Sequence, residues 1–189
     1  FINTGETVVT SLGAYPTFNF HVEGYGAHLY KVPYCDDRED LVGLSHAIQS
    51  KNAKMVYLAN PDNPMGTWHE SDKLRWFISN IPSSCILLLD EAYIEYAPKT
   101  ALLDPNITPK NVIHLRTFSK AHGMAGARIG YAICDETICL SFLHGIERVS
   151  TKVNATLRGD SFNSSFVRIQ SSPQEDPEHR IQLLRKTKP

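Results

Sequence analysis

Short apolar runs that alternate with segments of helical periodicity constrain the fold of this chain more than any other feature. The run Cys85-Ile86-Leu87-Leu88-Leu89 has no polar alternation, which is typical of a strand covered on both faces within a parallel sheet. Further runs predict strands at Thr7–Ser11, His28–Val32, Met55–Ala59, Val112–Arg116 and Ile129–Ile133. Candidate strands therefore recur from Thr7 to Ile133.

Apolar stripes at helical spacing lie between these runs. They comprise Leu41, Leu44 and Ile48 in one segment, Leu74, Phe77, Ile78 and Ile81 in another, and Ile138, Phe142, Ile146 and Val149 in a third. Ser71 is the predicted N-cap of the second helix, and Pro82 is its predicted stop. Because strands and helices alternate over about 130 residues, we predict an α/β fold with three αβα layers and a mainly parallel sheet.

Composition and charge exclude several classes of protein. The 189 residues suffice for one domain with a hydrophobic core and are short for two. The net charge is −1 and no apolar run is long enough to span a bilayer, so neither nucleic acid nor a membrane is an expected partner. The cysteines, at positions 35, 85, 134 and 139, lack metal-binding spacing, which indicates buried thiols in a reducing cytoplasm and no metal site.

Both ends of the chain lead us to expect a fragment of a longer protein. The sequence begins at Phe1 rather than at a methionine, as if in mid-domain, and its composition changes from about Ser150. The segment 150–189 is rich in Ser, Arg, Gln and Pro, and its apolar residues are sparse. We therefore expect one domain over residues 1–149 and a divergent or partly disordered tail over 150–189, which is either a partly ordered tail or a piece of another domain.

Polar clusters follow three of the predicted strands at their carboxyl ends. They are Asn60-Pro61-Asp62-Asn63-Pro64-Met65-Gly66, then Asp90-Glu91-Ala92-Tyr93, then Thr117-Phe118-Ser119-Lys120 with Arg128 eight residues after the lysine. Ligands of parallel α/β sheets bind beyond these ends, so three clusters in sequence order predict a site. Each cluster alone also has a purely structural interpretation: a turn with two X-Pro steps, a helix cap, or a solvated surface lysine.

The order of these motifs is similar to that in a known family. Tyr15-Pro16-Thr17-Phe18 comes first, the three clusters follow, and Gly126-Ala127-Arg128-Ile129-Gly130-Tyr131 ends the series. The series resembles the fold type I pyridoxal-phosphate-dependent aminotransferases of class I and II, and the stretch from Asp90 to Tyr96 is most like the histidinol-phosphate aminotransferase branch. The resemblance covers about Phe1 to Ala132. It implies that residues 1–149 are an N-terminally incomplete cofactor-binding large domain, whereas the family's small domain is not recognisable in 150–189.

The resemblance implies that pyridoxal 5'-phosphate is the cofactor and that Lys120 is the catalytic residue, which holds the cofactor in a Schiff base. The implied cofactor-binding residues are Phe18, Asn63, Asp90, Tyr93, Thr117, Ser119, Lys120 and Arg128. Asp90 would keep the pyridine nitrogen protonated, and Asn63 and Tyr93 would bond the phenolic oxygen of the ring. Phe18 would stack on the ring face. Arg128, with the hydroxyls of Thr117 and Ser119, would bind the phosphate.

The same resemblance implies the reaction and the partners. An amino group would pass between an amino acid, or a histidinol-phosphate-like amine, and a 2-oxo acid, in amino-acid biosynthesis. The full-length parent would be a homodimer. Two alternatives stay open at this point: a pyridoxal-phosphate-dependent lyase or decarboxylase of the same fold, and a non-catalytic, truncated α/β fragment.

Overall fold

A computed structural model of the chain describes residues 1–107, 109–138 and 141, together with the backbone of Val153–Gly159, Ser165–Ser171 and Gln182–Leu184. The chain divides into two compact units, Phe1–Leu103 and Asp104–Pro189. The sequence-based division into a cofactor-binding domain over residues 1–149 and a tail over 150–189 stays a prediction.

The first unit contains a four-stranded parallel sheet. Its strands are β1 (Thr7–Ser11), β2 (His28–Val32), β3 (Met55–Ala59) and β4 (Ile86–Asp90), in the order β2-β1-β3-β4. Every pairing among them is parallel, so all four carboxyl ends lie at one edge of the sheet. The last residues of β3 and β4, Ala59 and Asp90, lie opposite each other. The predicted α/β architecture with a mainly parallel sheet is confirmed.

Three helices connect these strands: α1 (Pro16–Gly24), α2 (Leu41–Ser50) and α3 (Ser71–Ser79). The Asp40 carboxylate caps α2, accepting hydrogen bonds from two backbone N–H groups of its first turn at 3.0 and 3.1 Å. The predicted N-cap of α3 was wrong by one residue. Glu70 occupies that position with an extended backbone, and Ser71 is already helical, its hydroxyl accepting a hydrogen bond from Arg75.

The core of the first unit lies on both faces of its sheet. On one face, Phe18 and Val22 of α1 pack with Val8, Met55 and Leu88. Because side chains alternate along a strand, the intervening residues point to the opposite face. There α2 contacts β1, β2 and β3 and also packs against α3. The helix side chains buried on this second side include those of Leu44, Ile48, Leu74 and Phe77, none more than 1% exposed.

The second unit is built around an antiparallel pair, β5 (Val112–Thr117) and β6 (Ile129–Cys134). Next to β6 lies β8 (Ser165–Ser171), followed by β7 (Val153–Gly159) and β9 (Gln182–Leu184). The pairs β6–β8 and β7–β8 are antiparallel, whereas β7–β9 is parallel. These three strands lie in the segment predicted to be a tail. Of the helix predicted through Ile138, Phe142, Ile146 and Val149, Ile138 is described and is helical, and the other three residues lie outside the described part of the chain.

Short 3-10 helices complete both units, at Ile94–Tyr96, Lys99–Ala101, Pro105–Ile107 and Ala125–Ala127. Cys85 and Cys134 are buried as predicted, but the prediction was wrong for Cys35, which is exposed. Cys35 pairs with Arg38 across a tight turn in which Asp36 and Asp37 have positive φ, and a turn of this kind keeps its side chains at the surface. Among the described residues, no helix has the length and apolar character needed to cross a membrane.

Candidate functional site

The polar clusters after β3 and β4 meet at the carboxyl edge of the first unit. The Asn60 N–H donates a hydrogen bond of 2.9 Å to the Asp90 carbonyl oxygen, which joins the start of one cluster to the start of the other. This contact continues the parallel register of Ala59 with Asp90. The sequence argument that strand ends bring these two clusters together is thus confirmed within this unit.

Asp90 is held in one orientation by two hydrogen bonds. Its Oδ2 accepts a hydrogen bond of 2.6 Å from the Tyr57 hydroxyl, and its Oδ1 accepts one of 2.9 Å from the Ala92 N–H. Burial, followed by the charge of Asp90, raises the pKa of Tyr57, so the phenol stays protonated and donates. An ionised carboxylate has about four acceptor positions. Asp90 therefore keeps acceptor capacity toward a further N–H group.

Phe18 reaches the same place from α1. Its ring is stacked on the Tyr57 ring, with centroids 4.6 Å apart and planes inclined by 17°. Tyr57 thus links Phe18 to Asp90. Sequence analysis missed Tyr57, although a signal was present: a tyrosine inside a fully buried strand needs a partner for its hydroxyl.

Asn63 lies on a closed loop, residues 60–69, that follows β3. The Asn60 side chain closes the loop, because its Oδ1 accepts from the His69 N–H at 2.8 Å and its amide donates to the His69 carbonyl at 3.4 Å. Inside the loop, the Asp62 N–H donates to the Thr67 carbonyl oxygen, and the Asp62 carbonyl oxygen accepts from the Gly66 N–H. Gly66 has a φ of 70°, which favours glycine. Asn63 itself is half-buried, and its side-chain amide makes no hydrogen bond with the residues described.

Tyr93 follows Asp90 in the segment that leads into the first 3-10 helix. Its ring is half-buried and lies against Tyr96, with centroids 6.4 Å apart and planes inclined by 42°. The next residue, Ile94, is buried and anchors the turn. Phe18, Asn63, Asp90 and Tyr93 therefore all belong to the first unit, where contacts through Tyr57 and Asn60 tie the first three to one sheet edge. Their roles toward a cofactor stay predictions.

The remaining predicted site residues lie in the second unit, on the loop between β5 and β6. Thr117 joins the two ends of this loop: its Oγ1 donates to the Ile129 carbonyl at 3.3 Å and accepts from the Ser119 N–H at 3.1 Å. Thr117 also lies opposite Gly130 in the strand pair. A Cβ atom at Gly130 would lie 3.0 Å from a backbone oxygen, which explains a glycine there.

Lys120 and Arg128 occupy the exposed part of that loop. Lys120 opens a turn in which its carbonyl oxygen accepts a hydrogen bond of 2.9 Å from the Gly123 N–H. Arg128 has a left-handed backbone with φ of 50°, and its Nη1 donates to the Ala125 carbonyl at 3.1 Å. The second unit thus places a lysine, a guanidinium and two hydroxyl side chains on one loop. Their part in phosphate and cofactor binding also stays a prediction.

The model of the family "Aminotransferase class I and II" matches residues 1–170, nearly the whole chain. The chain belongs to this family. The resemblance drawn from the sequence motifs is therefore confirmed, and so is the fold that it implied.

Individual relatives narrow the likeness to one branch of the aminotransferases. Histidinol-phosphate aminotransferase 1 of Psychrobacter arcticus is 41% identical over 142 residues, which is 73% of this chain and 37% of that protein. Histidinol-phosphate aminotransferase 2 of Bacillus cereus is 37% identical over 142 residues, 72% of this chain and 38% of that protein. The chain spans about two fifths of the length of these aminotransferases.

A solved structure from the histidinol-phosphate aminotransferase branch is also similar to this chain. The histidinol-phosphate aminotransferase of Sinorhizobium meliloti, in complex with pyridoxal-5'-phosphate, aligns with a TM-score of 0.74 at 49% identity. The alignment covers 79% of this chain and 40% of that structure.

Proposed function

We propose that this chain is part of a pyridoxal-phosphate-dependent aminotransferase that moves an amino group between an amino acid and a 2-oxo acid. One observation carries the proposal. The Asp90 carboxylate is oriented by Tyr57 and Ala92, with acceptor capacity to spare, at the edge that also carries Asn63. The carboxylate would suit a protonated ring nitrogen, and the amide would suit a phenolic oxygen of the same ring. The likeness to histidinol-phosphate aminotransferases supports the same assignment.

Bound pyridoxal phosphate supplies an electron sink for the bonds at the substrate's α-carbon. Asp90 holds a proton at the pyridine nitrogen, because a fixed negative charge favours the protonated ring. Tyr57 and Ala92 keep the Asp90 carboxylate in the orientation that this bond requires. The Asn63 amide and the Tyr93 hydroxyl would donate hydrogen bonds to the phenolic oxygen.

On the loop between β5 and β6, the Lys120 amine would hold the cofactor covalently and would serve as the general base and acid at the substrate's α-carbon. Arg128 offers a planar fork of donors that matches a phosphate. The hydroxyls of Thr117 and Ser119 add donors to the same group. Phe18 covers the ring face and excludes water.

The relatives support a proposal for the substrate class. We propose a histidinol-phosphate-like amine or an amino acid as donor and a 2-oxo acid as acceptor; the relatives from Psychrobacter arcticus and Bacillus cereus, both named histidinol-phosphate aminotransferases, support the proposed donor. We further propose that the full-length protein is a cytoplasmic homodimer, as the family resemblance implies. A matched assay with histidinol phosphate and several 2-oxo acids tests the donor and acceptor separately.

Cofactor binding tests the central claim. Titration with pyridoxal phosphate should shift the visible absorption from that of the free cofactor to the band of a lysine Schiff base, and Lys120→Ala should abolish this shifted band. Lys110→Ala, at an exposed lysine of the same unit, should leave the band unchanged. A band that persists in Lys120→Ala, or no band in the wild type, would contradict the proposal. Release of CO₂ without a 2-oxo acid product would instead identify the lyase alternative.

A further inference from the structure

Glu39 contacts both ends of the 60–69 loop that carries Asn63. It lies in the segment between β2 and α2 and is only 2% exposed. Its Oε2 accepts a hydrogen bond of 3.1 Å from the N–H of Ala59, the residue immediately before the loop. Its backbone oxygen lies 2.9 Å from Nε2 of His69, the last residue of the loop. One buried residue thus spans the entry and the exit of this loop.

The residues just before Glu39 add contacts along the loop, and we call the segment 34–39 the brace. The Tyr34 hydroxyl donates to Asp62 Oδ2 at 2.8 Å. The Asp37 carbonyl accepts from the Thr67 hydroxyl at 3.3 Å, and Arg38 Nη1 donates to the Trp68 carbonyl at 3.2 Å. The brace therefore contacts the loop on both sides of Asn63, at Asp62 before it and at Thr67 and Trp68 after it.

Glu39 also lies beside a group of buried polar atoms. Ser11 Oγ, Glu39 Oε1 and Asp62 Oδ1 are inaccessible to solvent and make no hydrogen bond within the described part of the chain. Burial and then the charge of Asp62 raise the pKa of Glu39, while the hydrogen bond from the Ala59 amide acts in the opposite direction. Burial raises the pKa of Asp62 as well. Two adjacent buried carboxylates are costly unless one carries a proton, and a neutral Glu39 offers one donor to its neighbours.

We propose that Glu39 is a positioning residue of the cofactor site: its buried carboxyl group ties the end of β3 to the brace and sets the 60–69 loop so that the Asn63 amide meets the phenolic oxygen. The proposal rests on the proposed function only for the identity of the group that Asn63 meets. The rigidity of the loop is a property of the protein without cofactor and can be measured separately.

Two substitutions at Glu39 distinguish a carboxyl group that positions the loop through hydrogen bonds from a side chain that only fills space. Glu39→Gln retains an acceptor for the Ala59 N–H and supplies an amide donor in place of the acid proton. Glu39→Leu has a similar volume but neither group. Glu23→Leu, at an exposed glutamate on α1 with a long ion pair of 3.8 Å to Lys31, serves as the matched control.

Pyridoxal phosphate binding is the first readout, by absorbance titration of each purified variant. Glu39→Leu should weaken binding about tenfold and shift the visible band, because a buried N–H loses its acceptor and the loop relaxes. Glu39→Gln and Glu23→Leu should bind within about twofold of the wild type. Equal losses in Glu39→Gln and Glu39→Leu, or no loss in Glu39→Leu, would overturn the proposal.

Acrylamide quenching of Trp68 is the second readout and needs no cofactor. The chain has two tryptophans, so a Trp76→Phe background leaves Trp68, on the loop, as the reporter. Quenching of Trp68 should rise in Glu39→Leu and stay unchanged in Glu39→Gln. If the wild type binds no cofactor but Trp68 quenching still rises in Glu39→Leu, the proposed function is refuted and the role of the brace is supported. If Glu39→Leu does not fold, Tyr34→Phe, which removes one hydroxyl, should still increase quenching; unchanged quenching there would overturn the proposal.

Discussion

Proton binding at Glu39 makes the free energy of unfolding depend on pH, and the substitution Glu39→Gln should remove this dependence. Because burial and the Asp62 charge raise the pKa of Glu39 in the folded protein, its proton is retained above pH 4.5, where the unfolded chain begins to release it. Between the two pKa values the folded state binds one more proton, so the free energy of unfolding falls as pH rises. The stabilisation is fully present below the unfolded pKa and is lost as pH rises through the folded pKa.

The size of this effect follows from the linkage relation. One proton changes the free energy of unfolding by at most about 1.4 kcal/mol per pH unit, hence by up to about 2.7 kcal/mol between pH 5 and pH 7. Glutamine does not titrate. The Glu39→Gln variant should therefore lack this slope and gain stability relative to the wild type as pH rises.

Urea unfolding of both proteins at pH 5, 6 and 7, followed by circular dichroism, measures the difference directly. Titration of Asp62 and His69, whose pKa values are shifted up and down by burial, is present in both proteins and largely cancels in the comparison. The exposed Glu23→Gln variant should run parallel to the wild type. If Glu39→Gln also runs parallel to it, Glu39 is ionised in the folded protein and the reasoning fails.

Two further substitutions test the core and the support of Asp90. Tyr57→Phe keeps the ring stack but removes the 2.6 Å hydrogen bond to Asp90. The free energy of unfolding, measured by urea titration, should fall by about 1.5–3 kcal/mol, and cofactor affinity should fall as well. Unchanged values in both assays would contradict this role. Phe77→Ala opens a cavity at a fully buried position of α3 and should lower the free energy of unfolding by about 3–5 kcal/mol. Trp76→Ala, at the exposed neighbour, should change the free energy of unfolding by less than about 1 kcal/mol. Equal effects of the two would contradict the burial assigned to α3.

Local patterns were enough to predict most elements of the first unit. The strands Thr7–Ser11, His28–Val32 and Met55–Ala59 begin and end where their apolar runs predict. β4 lies one residue further along than predicted, which makes Asp90 part of the strand. Helix α1 was not predicted, because only Asn19 and Val22 on it are buried and its apolar stripe is weak.

The sequence by itself determined which chemistry stands at the strand ends. Apolar runs specify strands, and polar residues directly after a parallel strand must lie at one edge, so the clusters that begin at Asn60 and Asp90 could be predicted to lie side by side. Family motifs likewise singled out Lys120 and Arg128 without any coordinates.

Only the tertiary structure decided what supports those residues. Tyr57 lies 33 positions from Asp90, and Glu39 lies 20 positions from Ala59 and 30 from His69, yet each pair is joined by a hydrogen bond. Within a run of charged residues, Glu39 has the pattern of a solvated surface side chain. Periodicity reports only whether a residue faces a core, whereas the partner of a buried polar group is set by which strands and loops pack side by side.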